Sequence, residues 1–573
     1  MSSFRQRKTP GVYVTELNAF PPSIVGVETA VPAFIGYTEK AEINGKPVDR
    51  KPIKITSPAD YSSVFGGSFK ALYNINPVAE PKTSADYDFL IEGATSKSYF
   101  TLAQSGESKF NLYNSLRLFY SNGGGTCYIV STGVYTGPDP KNPKIEGVAV
   151  NEADLLEGLN AIEEEVGPTI LVVPDAVLLP GDQPAAPATP PAEGSPPAPT
   201  GPTTSSAFEK VARAMLTQCK QRKDRVAILD IYDTQDIRQG PNLQREMDQA
   251  VENFHGALGT ENLNYGMAYF PFLKTSIVQT SEIDYTNYNT KGAKGAGDAA
   301  AAATPENGWK PLVDLLTAQA AGLYGKDADT LKKVEALINK IPTLNYDDPT
   351  KRTEIVQLNQ DLVNALPVLK QMAQIIADKS NVLPPSGAMA GIYTAVDNSR
   401  GVWNAPANIA LTAVVAPTIS ISAGTQGNLN VPLNGKAINA IRVFPGRGTL
   451  VWGARTLDGN SNDWRYIQVR RTLIYIEQSI KIALDSFVFA PNDGKTWVAV
   501  TSMVSNFLQG LWSRGGLMGA TATEAFAVEC GLGSTMTPMD ILEGYMIVQI
   551  TLQMIHPAEF IELTFKQKMR GGG

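Results

Sequence analysis

Apolar residues in this chain recur with two different periods. Near-continuous apolar runs occupy Val31 to Tyr37, Tyr128 to Ser131, Thr169 to Val173, Arg225 to Ile231 and Tyr265 to Tyr269. Runs of that length read as strands buried on both faces. Between them the spacing becomes helical. Phe110 to Tyr120 carries Leu112, Leu116 and Phe119 on one side, and Asn151 to Glu165 and Phe208 to Gln221 follow the same rule. Helices alternating with such strands predict an α/β domain built on a parallel sheet.

The pattern changes further along. Pro180 to Thr204 is a Pro/Ala/Gly/Thr tract that cannot bury a core and predicts an exposed loop. Residues 281–382 predict a mainly helical insertion, with helices at Pro311 to Leu323, Ala328 to Ile341 and Thr353 to Ala377. Arg470 to Phe487 and Trp497 to Ser513 are long amphipathic helices, the second closed by Gly515-Gly516. Met546, Val548, Ile550, Leu552 and Met554 alternate with less apolar neighbours, predicting a strand. After His556-Pro557, Glu559 to Gln567 alternates again, with Ile561, Leu563 and Phe565 on one face. At the other end, Val12-Tyr13-Val14-Thr15 forms a short strand between Pro10 and Pro21-Pro22, with no neighbouring hairpin partner. Such a strand gains little alone and must add to a distant edge, of its own chain or of a neighbour.

Composition narrows the chemistry. With 573 residues, 43% hydrophobic and 18% charged, the chain is globular, with room for about three to five domains. A net charge of -7 argues against general nucleic-acid binding. No stretch approaches the roughly 20 apolar residues of a membrane helix, and Met1 to Lys8 is too polar for a Sec-type signal peptide. Three scattered cysteines offer no disulfide framework or CxxC pair, and two histidines exclude a multi-histidine metal site within one chain. Gly494-Lys495-Thr496 resembles the end of a phosphate loop, but Phe489 stands where its first glycine belongs, so it reads as a helix opening. Gly123-Gly124-Gly125 reads as a helix cap or turn. Neither a GxSxG elbow nor an HExxH helix occurs. No cofactor is implied.

Four stretches carry a resemblance. TPGVYVTEL, followed by Pro21 to Ala41, resembles the start of the contractile tail sheath proteins of extracellular contractile injection systems, which are phage tail-like particles. SNGGGTCYIV from Ser121 to Val130, Leu383 to Asn408 and Ile438 to Leu457 are similar to further motifs of that family, in the family's order. The resemblance implies a non-enzymatic structural subunit. Copies polymerise helically around an inner tube and contract to drive it through a target envelope. It also implies a subtilisin-like outer α/β domain, an α+β inner C-terminal domain, and terminal β arms that enter neighbouring subunits. The implied partners are further copies of the chain, an inner-tube protein, and baseplate and terminal cap proteins, with no nucleic acid and no direct membrane insertion. Assembly would take place in the producing cell's cytoplasm, in a particle that is then released.

On this reading the chain divides into an N-terminal arm (1–22), an outer domain (23–433), an inner domain (434–557) and a C-terminal arm (558–573). Val12, Tyr13, Val14, Thr15, Ile561, Leu563 and Phe565 are the arm residues. The helix Trp497 to Ser513 resembles the family's attachment helix, which makes Phe507, Gln509, Trp512 and Arg514 the candidate tube contacts. Arg442, Arg447, Arg455, Arg465, Arg470, Arg471 and Arg514 suggest either ordinary surface pairing or a basic face toward an acidic tube. His255 reads as a surface or loop residue and His556, before Pro557, as a turn residue between two strands. A bacteriophage tail sheath and, more remotely, an α/β hydrolase-like enzyme are the competing readings.

Overall fold

The computed structural model describes residues 23–563 apart from 80, 82, 85, 93–95, 106–107, 136–148, 182–204, 236, 238–239, 289–307 and 345–348. The chain divides into two units: Glu28–Arg471, and a smaller one formed by Met1–Val27 with Thr472–Gly573. The larger unit is built on a nine-stranded sheet. Its spatial order is Ile409–Ala410, Gly448–Trp452, Asn439–Phe444, Gly266–Phe270, Val226–Asp230, Ile170–Val172, Pro32–Thr38, Cys127–Val134 and Ile53–Ile55. From Asn439–Phe444 to Cys127–Val134 every pairing is parallel. Every residue of Pro32–Thr38, Ile170–Val172, Val226–Asp230 and Gly266–Phe270 is buried. That burial on both faces is why these strands read as continuous apolar runs. At both edges the sheet turns antiparallel, so it is mixed rather than parallel throughout. Residues 434–471, assigned by sequence to the inner domain, lie in the larger unit because 439–452 form strands of this sheet.

Two helices on the sheet, Leu112–Ser121 and Ser386–Arg400, touch backbone to backbone. A Cβ added at Gly391 would stand 2.5 Å from the Phe119 carbonyl oxygen, and one at Gly387 would run into that of Ser115. Gly391→Ala is therefore expected to cost roughly 1–3 kcal/mol. Chemical denaturation checks this: an unchanged midpoint would mean that the helices separate freely.

Neither helix caps its own N-terminus with a side chain. Buried carboxylates, one at a strand's last residue and one just beyond a strand, do so instead. Asp175 Oδ1 accepts from the Asn111 and Leu112 N–H groups at 2.6 and 3.2 Å, and its Oδ2 from Tyr37 N–H at 2.9 Å. Asp230 accepts from Ser386 N–H at 2.9 Å and from its hydroxyl at 2.5 Å. Burial pushes the two carboxyls up to about 6 and about 7, against the pull of these donors. The far end of Ser386–Arg400 is fixed by an ion pair. Arg471 Nη1 and Nη2 donate to the Asp397 carboxylate at 3.0 and 2.6 Å, both side chains are 3% exposed, and the guanidinium lies 4.5 Å from the Tyr393 ring centroid.

The helical insertion is present as Lys310–Tyr324, Ala328–Ile338, Arg352–Ala365 and Pro367–Ser380. The single helix expected over Thr353 to Ala377 is two. Pro367 opens the second, and it holds Leu366 in an extended conformation (φ -128°). These helices do not form a self-contained core. They share one with the three-stranded sheet Tyr73–Val78, Lys97–Gln104 and Phe89–Glu92, through Phe89, Leu102, Leu316, Leu362 and Met372.

Gly123-Gly124-Gly125 is the turn that was expected. Gly123 takes φ +93° after the helix, Gly124 N–H donates to the Phe119 carbonyl at 3.0 Å, and the strand follows at Cys127.

Candidate functional site

The smaller unit contains most of helix Ile467–Leu484, the helix Gly494–Ser513 and a two-stranded sheet. The second helix opens at Gly494-Lys495-Thr496, where the Asp493 carboxylate accepts from Thr496 N–H at 2.9 Å. The motif is thus a capped helix start. Val500, Met503, Val504, Leu508 and Leu511 form its buried stripe.

The four candidate tube contacts divide into two kinds. Phe507 is half-buried, 6.0 Å from the Tyr475 ring. Trp512 is also half-buried, and its Nε1–H donates to the Gly519 carbonyl at 3.0 Å. Gln509 and Arg514 face outward. Arg514 Nε donates to the Gly510 carbonyl at 3.2 Å, which places a cation on the last turn, where the helix dipole favours it. Between Lys495 and Arg514 the helix carries no charge, and its exposed positions include Val498, Ser502, Asn506 and Ser513.

The arginines suggested by sequence do not form a common basic face. Arg455, Arg470 and Arg471 are 4%, 5% and 4% exposed and belong to the larger unit. Arg470 is sandwiched between Tyr265 and Trp464, 4.3 and 4.8 Å from their ring centroids. A flat, weakly hydrated guanidinium can be buried in this way, where an ammonium would resist desolvation.

The two-stranded sheet pairs Phe526–Glu529 with Gln549–Leu552, with Val528 opposite Ile550. The expected alternation holds. Met546, Val548, Ile550, Leu552 and Met554 are half-buried, whereas Ile547, Gln549, Thr551 and Gln553 are exposed. The strand itself covers only Gln549–Leu552 of the predicted Met546 to Met554. Each of its two strands has one neighbour among the described residues, so among these residues each has an edge to which a further strand can add. The chain then runs without regular structure from 553 to 563, and Phe560, Ile561 and Leu563 are 73%, 78% and 76% exposed. The described part of the predicted last strand, up to Leu563, therefore carries no strand pairing among the described residues. Phe565 and Val12, Tyr13, Val14 and Thr15 lie outside the described residues, as does most of the Pro-rich tract. Where the N-terminal segment enters, Val27 N–H donates to Ser479 Oγ at 3.1 Å.

Sequence reasoning missed a second exposed surface. Leu532, Met539, Leu542 and Tyr545 are 54%, 62%, 82% and 59% exposed. The available signal was charge, because no lysine or arginine occurs between Arg514 and Lys566.

His255 was expected on the surface or in a loop. It is instead 5% exposed on helix Leu243–Leu258, and burial pushes its imidazole down to about 4. Its Nδ1 accepts from the Asn434 amide at 2.7 Å, an amide rather than a nucleophile. Among the described residues no group of three His, Cys, Asp or Glu could hold a metal, and no helix is long and apolar enough to cross a membrane.

A family model of the phage tail sheath C-terminal domain matches residues 460–568. No curated protein matches the chain. Solved structures match along its length. The sheath complex of the PVC extracellular contractile injection system, in the contracted state, is 24% identical over 98% of each chain, with a TM-score of 0.53. The helical sheath of the anti-feeding prophage, also contracted, is 22% identical over 98% of this chain and 100% of that one, with a TM-score of 0.53. A chain of the anti-feeding prophage baseplate is 23% identical over the same shares, with a TM-score of 0.52. Residues 460–568 thus match the phage tail sheath C-terminal domain family, in a chain whose fold over nearly its whole length is that of contractile sheath proteins.

Proposed function

We propose that the chain is the sheath subunit of an extracellular contractile injection system, a structural protein that polymerises helically around an inner tube and contracts to drive the tube forward. The observation that carries this reading is a sheet with only two strands among the described residues, followed by a tail whose Phe560, Ile561 and Leu563 are exposed. A sheet of two strands is marginal alone, and main-chain edges accept added strands from other chains. Arms from neighbouring copies, containing Val12 to Thr15 at one end and Ile561, Leu563 and Phe565 at the other, would complete it. A heterologous contact of this kind repeats without closing and yields a helix. Strand pairing survives large rotations of the subunits when the connecting segment absorbs the change. Baseplate, tube and cap proteins are the remaining partners, and the particle assembles in the producing cell before release.

The outward side of helix Gly494–Ser513 is the surface proposed to hold the tube, with Gln509 and Arg514 as its contacts. A hold that must later give way suits weak contacts repeated over many subunits. Arg514→Glu is expected to weaken co-sedimentation of sheath with inner-tube protein while leaving sheath polymers intact. The loss should deepen at low salt, where screening is least. Binding equal to wild type at both low and high salt would remove Arg514 from the tube contact.

A further inference from the structure

The hairpin Asn439–Phe444 and Gly448–Trp452 ends in a cluster that the sheet does not need. Phe444, Pro445, Gly446 and Arg447 form the turn, closed by Arg447 N–H donating to the Phe444 carbonyl at 3.0 Å. Proline at its second position and Gly446 at φ +73° give the type II pattern. The turn brings Arg447 back over the hairpin, 6.0 Å from the Phe444 ring centroid and 5.9 Å from that of Trp452. The two rings are 4.4 Å apart, and Arg442 lies 5.4 Å from Phe444. Both guanidiniums bond to neutral amides, Arg442 to Gln426 and Arg447 to Asn408, and neither has a carboxylate partner among the described residues. Arg447 is exposed, Phe444 and Trp452 are half-buried, and Val443 is 54% exposed. Stacked arginines and aromatics at an exposed turn have the composition of an interface hot spot.

The matching surface is on the same sequence. Between Arg514 and Lys566 stand Glu524, Glu529, Asp540, Glu543, Glu559 and Glu562 and no lysine or arginine. Glu529 and Glu543 are exposed, and Glu543 stands in sequence between the exposed Leu542 and Tyr545. We infer that the Arg442–Arg447 hairpin tip of one copy docks on this acidic, partly apolar face of a neighbouring copy. The inference rests on the sheath reading and adds a second contact between copies, made by side chains rather than by strand exchange. Because it depends on charge, it weakens with salt, whereas strand addition does not.

Sedimentation of polymer over a protein concentration series tests it. Arg442→Glu with Arg447→Glu is expected to raise the concentration needed for assembly at least about tenfold. Adding Glu529→Lys and Glu543→Lys to the same chain is expected to restore assembly. Arg447→Gln keeps a polar planar group and, with circular dichroism, controls for folding. It should give an intermediate shift. Assembly of the doubly reversed variant at the wild-type concentration would overturn the docking. So would a folded reversed variant that the lysine changes fail to rescue, since the acidic face would then not be the occupant. Wild-type protein that never polymerises would instead sink the sheath reading, and this contact with it.

Discussion

Deleting residues 1–20 is expected to leave a folded protein that no longer forms tubes. The nine-stranded sheet begins at Pro32 or later in every strand, and the described contact of the entering segment, Val27 to Ser479, lies beyond the deletion. Far-UV circular dichroism and the thermal midpoint should therefore match wild type. What is lost is a strand's worth of main-chain bonds at each repeat. At about 1 kcal/mol net per bond, three or four bonds come to several kcal/mol per contact, enough to raise the assembly concentration by two orders of magnitude or more. Truncation after His556, which removes the exposed Phe560, Ile561 and Leu563, should act in the same direction. Normal tubes from either truncated protein at wild-type concentration would show that the arms are dispensable.

The second large effect concerns folding. Asp397→Ala should destabilise the protein by about 3–5 kcal/mol, because it leaves the Arg471 guanidinium buried without its counter-ion. The pair joins the end of helix Ser386–Arg400 to the residue at which the two units divide, and Arg471 also donates to the Thr29 carbonyl at 3.1 Å. Replacing both partners by apolar residues, Asp397→Leu with Arg471→Met, should recover much of the loss, since no uncompensated charge then remains. Urea denaturation of the two variants decides it. Equal stability of the single and double variants would mean that the charges contribute little beyond their packing.

The parts of the fold that were legible in sequence share a physical reason. Strands covered on both faces must be apolar throughout, so Thr169 to Val173 and Arg225 to Ile231 announced themselves. Helix Ser386–Arg400 did not. Every residue from Ser386 to Thr394 is buried, so no polar stripe marks a helix, and Gly387 and Gly391 argue against one locally. Their absence of side chains is what the neighbouring helix Leu112–Ser121 requires. The break at Pro367 was passed over because Leu362, Leu366 and Leu369 keep a helical apolar period across it, and all three are buried. The arginines failed for a different reason. Whether a guanidinium lies on a surface or between rings depends on partners far away in sequence, as with Arg470 and Tyr265. Of the candidate site, the proposed arms rest on short alternating segments set off by prolines, most of which lie outside the described residues. The two-stranded sheet they would extend was not legible, because an edge is a property of the assembled sheet.

Electron microscopy of the purified full-length protein, with helical reconstruction of whatever it forms, tests the central claim most directly. The predicted result is a hollow tube in which strands from neighbouring copies extend the Phe526–Glu529 and Gln549–Leu552 sheet of every subunit. Monomers or closed rings at every concentration and salt, or a tube in which that sheet keeps only its own two strands, would contradict it.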